Sequence, residues 1–154
     1  MTKIENSSEQ LQNDLIIKHN KNVLKIEMDI YIARKTRMLH KIQRYFNSTP
    51  LRNAFSRWMA YAFFDNKFYT ISKLAKEMHT NRQSISKMIS ECESENYIIV
   101  KRQGKTVACR ASPLLMEKIS DYCDWRQKLT KDIIGVSYYD LVKYESKVNR
   151  KLNM

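Results

Sequence analysis

The chain is short of the two residues that punctuate regular structure: 154 residues hold two Gly and two Pro. Glycine supplies left-handed turns and proline stops helices, so a chain this poor in both has few tight turns and must hold most of its length in long regular elements. The apolar residues recur with a helical period. From Leu11 to Phe46 the spacing predicts one long helix, in which Ile17, Leu24, Met28, Tyr31, Met38, Ile42 and Tyr45 form an apolar seam at a 3-4 step. Residues 1–10 are expected to be disordered. Proline 50 closes the long helix, because the residue before a proline is pushed out of the α region. A second helix is predicted over 51–65, with Phe55, Trp58, Met59, Ala62 and Phe63 inward.

Residues 70–110 carry the densest pattern. Ile71, Leu74, Ala75 and Met78 fall at i, i+3, i+4 and i+7 of a short helix. His79, Thr80 and Asn81 turn the chain, and Asn81 is placed to cap a further helix over 82–93. That helix buries Ile85, Met88, Ile89 and Cys92 on one stripe. On a helical wheel Gln83, Ser86, Lys87 and Ser90 point nearly the opposite way, with Arg82 on the flank. Two helices joined by so short a turn make a helix-turn-helix. Two β-rich runs, 97–102 and 105–110, follow, separated by Gln103 and Gly104, which predicts a tight hairpin, or wing, over 97–110. Ser112 and Pro113 open another helix, predicted to about residue 129, with Leu115, Ile119, Tyr122, Trp125 and Leu129 aligned. Ser137 and Asp140 fit a capping box for a last helix.

The fold class expected is mainly α with a small β-hairpin wing (α+β): a winged helix-turn-helix with a long N-terminal helix and C-terminal helices. The domain organisation expected is one domain over 11–154: the long helix 11–46, a helix-turn-helix and wing core 51–112, and terminal helices 113–154.

Lys and Arg number 28 against 16 Asp and Glu, a formal charge of +12. Such an excess points to a polyanionic partner. The longest apolar run, 58–64, is far short of the ~20 residues that cross a bilayer, so no membrane span is expected. The N-terminal residues are polar where a signal peptide would be apolar. Cys92, Cys109 and Cys123 are odd in number and widely spaced, which suits reduced thiols in the cytoplasm.

The polar helix face, the turn and the basic hairpin occur in the order that suits double-stranded DNA. In a major groove Gln reads adenine, Arg and Lys read guanine, and Ser bonds phosphate or base. The candidate DNA-binding residues are Asn81, Arg82, Gln83, Ser84, Ser86, Lys87 and Ser90 on the helix, and Lys101, Arg102 and Lys105 on the wing. A helical hairpin with a solvated polar face would share the first set but would not need the basic wing.

The stretch resembles the winged-helix regulators of the MarR-like group. "LAKEM" followed by "NRQSISKMI" is similar to the family's Leu-Ala, turn, Ser-Arg-x-Thr-Val-Ser-Arg run. "ESENYIIV" resembles its Glu-x-x-Gly-Leu-Ile/Val passage into the wing, with Asn96 replacing the glycine. Asn tolerates left-handed backbone better than most residues. The likeness covers residues 70 to 102 closely, and the rest in element order. It implies transcriptional regulation as a homodimer held by the terminal helices. The wing "KRQGK" departs from the family's Asp-x-Arg tip, and no effector site carries over.

Nothing implies a cofactor or an enzyme. His19, His40 and His79 lie apart from one another and from the cysteines, without metal-ligand spacing. No glycine-rich phosphate loop and no nucleophile motif occurs. The cysteines read as small packing residues in place of redox sensors. Trp58, Tyr61, Phe63, Phe64, Phe68 and Tyr69 read as core, with an aromatic ligand pocket as the alternative. Two other functions fit the same fold: a winged helix in plasmid or phage replication or partition, and a winged helix used as a protein-interaction module.

Overall fold

The computed structural model describes residues 3–37 and 40–134. Its elements are α1 (Lys3–Thr36), α2 (Lys41–Asn47), α3 (Pro50–Phe64), β1 (Tyr69–Thr70), α4 (Ile71–Glu77), α5 (Arg82–Ser94), β2 (Ile98–Gln103), β3 (Thr106–Ala111) and α6 (Pro113–Ile134). Backbone contacts group residues 34–123 into one compact unit, and residues before 34 or after 123 into another. The helix expected after Ser137 lies outside the described residues.

The expected long helix over 11–46 is two helices, and it begins at Lys3, so residues 3–10 are helical instead of disordered. The 3-4 step runs through the break, which is why periodicity alone does not reveal it. His40 is extended at the start of α2, whose Ile42 and Phe46 are buried. The Phe46 ring lies 5.7 Å from that of Tyr97. In α1, Ile17, Leu24, Met28 and Tyr31 are 57 to 62% exposed, while Ile26 and Ile30, on the opposite side of the helical wheel, are buried.

Three helices close without glycine. Asn66, His79 and Asn96 follow the last turns of α3, α4 and α5 with φ of 52°, 49° and 59°. At each, the next amide reaches back to the third-last helical carbonyl: Lys67 to Ala62, Thr80 to Ala75 and Tyr97 to Cys92, at 2.9 to 3.0 Å. This left-handed stop usually takes glycine, and short polar residues are its next best occupants. Asn96 thus does what the resemblance implied for it. The N-termini are capped as conventionally: the Thr49 hydroxyl accepts from the Arg52 amide at 3.1 Å ahead of Pro50, and Asn81 caps α5.

The sheet is antiparallel in the order β1-β3-β2. Tyr69, Ile98, Cys109 and Ala111 are buried on its inner face, against Phe55, Met59, Leu74 and Ile85 of the helices. Gln103 pairs with Thr106, so the hairpin turn is Gly104 and Lys105, one residue later than expected. Glycine takes the first turn position because φ there is +57°.

Not all the aromatics are core. Tyr69 is buried, but Tyr61 and Phe64 are 62% and 69% exposed. Both fall off the stripe that Phe55, Met59 and Ala62 turn inward on α3.

Cys92 and Cys109 are fully buried and Cys123 is exposed. Burial pushes both buried thiols up to about 12. At neutral pH the thiolate, which is the reactive form, is therefore scarce at these two positions. Maleimide labelling of the folded protein should modify Cys123 quickly and the other two only after denaturation. Mass spectrometry of the labelled peptides checks this, and Cys92 labelling as fast as Cys123 would contradict it.

Candidate nucleic-acid interface

Helix α5 is fixed from both ends and from one side. Its N-cap Asn81 accepts a hydrogen bond from the Ser84 amide at 2.7 Å. Arg82 donates to the Ser72 hydroxyl at 2.7 Å, tying α5 to α4. Ile85, Met88, Ile89 and Cys92 are buried, as the spacing predicts. Gln83, Ser86, Lys87 and Ser90 are exposed. Among the described residues no side-chain hydrogen bond or ion pair engages these four. Ser84 is half-buried.

The C-terminal half of α5 and its C-cap residue are anchored by three carboxylates that the candidate set did not contain. Glu91 accepts from the Tyr45 hydroxyl at 2.7 Å and from Arg52 at 3.2 Å. Glu93 takes both terminal nitrogens of Arg102, at 2.7 and 2.6 Å. Glu95 meets Lys41 at 2.7 Å. Helix α5 is thus joined to α2, α3 and the wing. The hydrogen bond from Tyr45 lowers the Glu91 carboxyl below its usual range, helped by the charges of Arg52 and Lys87. The bidentate contact lowers Glu93 and raises Arg102. Burial and the Glu91 hydrogen bond raise Tyr45, so it stays a donor. The alternating acids in "ECESE" are the one local signal of this anchoring. Their partners lie 9 to 54 residues away in the chain.

The wing residues divide. Strand side chains alternate between faces. Arg102 projects toward α5 and is held by Glu93. Lys101 projects the other way, its ammonium 4.1 Å from the centre of the Phe68 ring. Lys105 is exposed in the turn itself. The expected set therefore comes together in part: Lys105 and the helix residues other than the half-buried Ser84 are presented to solvent, Arg102 is paired, and Lys101 lies on the outer face of the sheet. Among the described residues no group of three His, Cys, Asp or Glu is placed to hold a metal, and no helix is long and apolar enough to cross a membrane.

No family model matches the chain, and no curated protein does. Solved structures do. The YusO protein from Bacillus subtilis matches with a TM-score of 0.59 at 13% identity, over 94% of this chain and 96% of that one. A MarR family protein from Bacillus stearothermophilus matches with a TM-score of 0.52 at 14% identity, over 100% and 99%. A protein with unknown function from Listeria innocua Clip11262 matches at 0.52 and 10% identity, over 97% and 99%. At such identities the likeness is one of fold. With the short α4, the capped turn, α5 and the hairpin in that order, the chain has the MarR-type winged helix-turn-helix fold.

Proposed function

We propose that this protein binds double-stranded DNA in a sequence-dependent way as a homodimer and regulates transcription. One observation carries the reading: α5 buries four side chains and leaves Gln83, Ser86, Lys87 and Ser90 exposed, with no side-chain hydrogen bond or ion pair among the described residues. A helix held that firmly, with short polar and basic side chains outward, suits a major groove. Arg82 stands at its edge, and Asn81 and Ser84 put backbone near phosphate. Lys105 and Arg102 of the wing would meet flanking backbone or minor groove. The net charge of +12 supports a polyanionic partner. The three free cysteines suit the cytoplasm. Affinity selection from random duplex DNA tests the reading. Enrichment of a two-fold-related site is expected, and a folded protein that enriches no sequence would overturn it.

The dimer is supported by the exposed seam of α1, since contiguous apolar surface of this kind usually marks an interface. Light scattering should give twice the 18.4 kDa chain mass. Leu24→Glu with Met28→Glu should halve that mass and keep the helical circular-dichroism signal. A monodisperse wild-type monomer at roughly tens of micromolar, an ordinary working range for dimers, sinks the dimer.

A further inference from the structure

Phe64 and Phe63 of α3, Phe68, and Arg110 and Lys101 on the outer face of the sheet form a continuous row of aromatic and cationic groups. The Phe64 and Phe63 rings lie 6.4 Å apart, centre to centre. The Arg110 guanidinium follows, 5.5 Å from the Phe63 centre and 4.5 Å from that of Phe68. The Lys101 ammonium closes the row, 4.1 Å from Phe68. Ile99 is the register partner of Arg110 and stands 38% exposed beside it. At the other end Phe64 is 69% exposed.

The two cations of this row are uncompensated. Lys41, Arg52 and Arg102 each meet a carboxylate. Among the described residues no carboxylate meets Lys101 or Arg110. Arg110 donates one terminal nitrogen to the Asn66 carboxamide at 2.9 Å, and its Nε is enclosed without an acceptor. Ring faces hold both cations in place, so little side-chain freedom remains to be lost when an anion arrives. The same contact argues against stacked nucleobases, because the cations already lie over the Phe68 ring that a base would need.

We propose that this face docks an acidic protein segment with interspersed apolar side chains. Its carboxylates would pair with Lys101 and Arg110, and its apolar side chains would cover Phe64 and Ile99. The two charges fix the sign of the partner and the flanking apolar groups fix its mixed character. Strand alternation turns this face away from α5, so the segment and a duplex can be held together. The inference stands on the sheet geometry and not on the DNA reading.

The probe is a fluorescein-labelled peptide of alternating Asp and Leu, followed by anisotropy on the full chain. Saturable binding that weakens with salt is expected. Lys101→Glu and Lys101→Ala/Arg110→Ala should each lower affinity at least about tenfold, a loss typical of removing an interface charge partner. Phe64→Ala should weaken binding several-fold, whereas Lys87→Ala leaves it unchanged. Circular dichroism confirms the fold of each variant, and Lys101→Glu, at an exposed position, keeps the test decisive if the double variant unfolds. The proposal is overturned if the wild type does not bind the peptide, or if Lys101→Glu binds as well as wild type. It also fails if duplex DNA displaces the peptide and Lys87→Ala abolishes binding, since the peptide then occupies the α5 face. A single-stranded oligonucleotide that binds more tightly than the peptide, and is lost in Lys101→Glu, would make the face a nucleic-acid surface instead.

Discussion

Gln83→Ala should relax base preference at one or two positions of a selected site, by roughly 1–3 kcal/mol of discrimination, while leaving affinity for random duplex nearly intact. Gln83 is exposed on the outward face of α5, and among the described residues no side-chain hydrogen bond engages it. Lys105→Ala should do the reverse. It sits in the wing turn, where a phosphate is the natural contact, so binding to selected and random duplex should weaken alike. The plot of log affinity against log salt should flatten by about 0.9 for the lost contact. Salt titrations of each variant on the selected site and on scrambled DNA measure both. If Lys105→Ala loses base preference while Gln83→Ala changes only the slope, the two roles are exchanged. If neither folded variant alters DNA affinity, the α5 face is not a DNA surface.

Ile85→Ala should cost about 2–5 kcal/mol of stability, whereas Lys87→Ala, on the same helix, should stay within about 0.5 kcal/mol. Ile85 and Leu74 are both fully buried where α5 docks on its neighbours. Truncating Ile85 leaves a cavity in a close-packed core. Among the described residues no carboxylate or hydrogen-bond partner meets Lys87. Urea unfolding with a common slope separates the two. Equal costs at the two positions would mean that α5 does not have one docking face and one free face.

That division was legible in the sequence because it is local. Ile85, Met88, Ile89 and Cys92 repeat at helical spacing, and a wheel alone places Gln83 and Lys87 opposite them. The cap at Asn81 and the left-handed Asn96 are local as well. What the sequence concealed depends on residues far apart. The break between α1 and α2 interrupts a seam whose spacing is unbroken, and past it Ile42 and Phe46 are buried. The hairpin turn moved by one residue because strand register, not composition, decides which two residues are left over. Arg102 looked like an unpaired wing cation because Glu93 reaches it from another element. Aromatic density alone reads Tyr61 and Phe64 as core, but they lie off the inward stripe of α3 and are exposed.

The Arg102–Glu93 pair changes what a salt titration would count. A lone cation entering a phosphate contact releases a counterion from DNA, and that release gives binding its salt dependence. Arg102 starts with a carboxylate at 2.6 Å. Passing to a phosphate, it exchanges one anion for another and leaves Glu93 to recruit a cation from solution. Release at the duplex and uptake at the protein offset each other. On the proposed DNA complex, the salt slope would then register Lys87 and Lys105 but not Arg102, and the ions released would be fewer than the side chains touching phosphate. Glu93→Gln removes the uptake, so the same set of contacts would show a steeper slope.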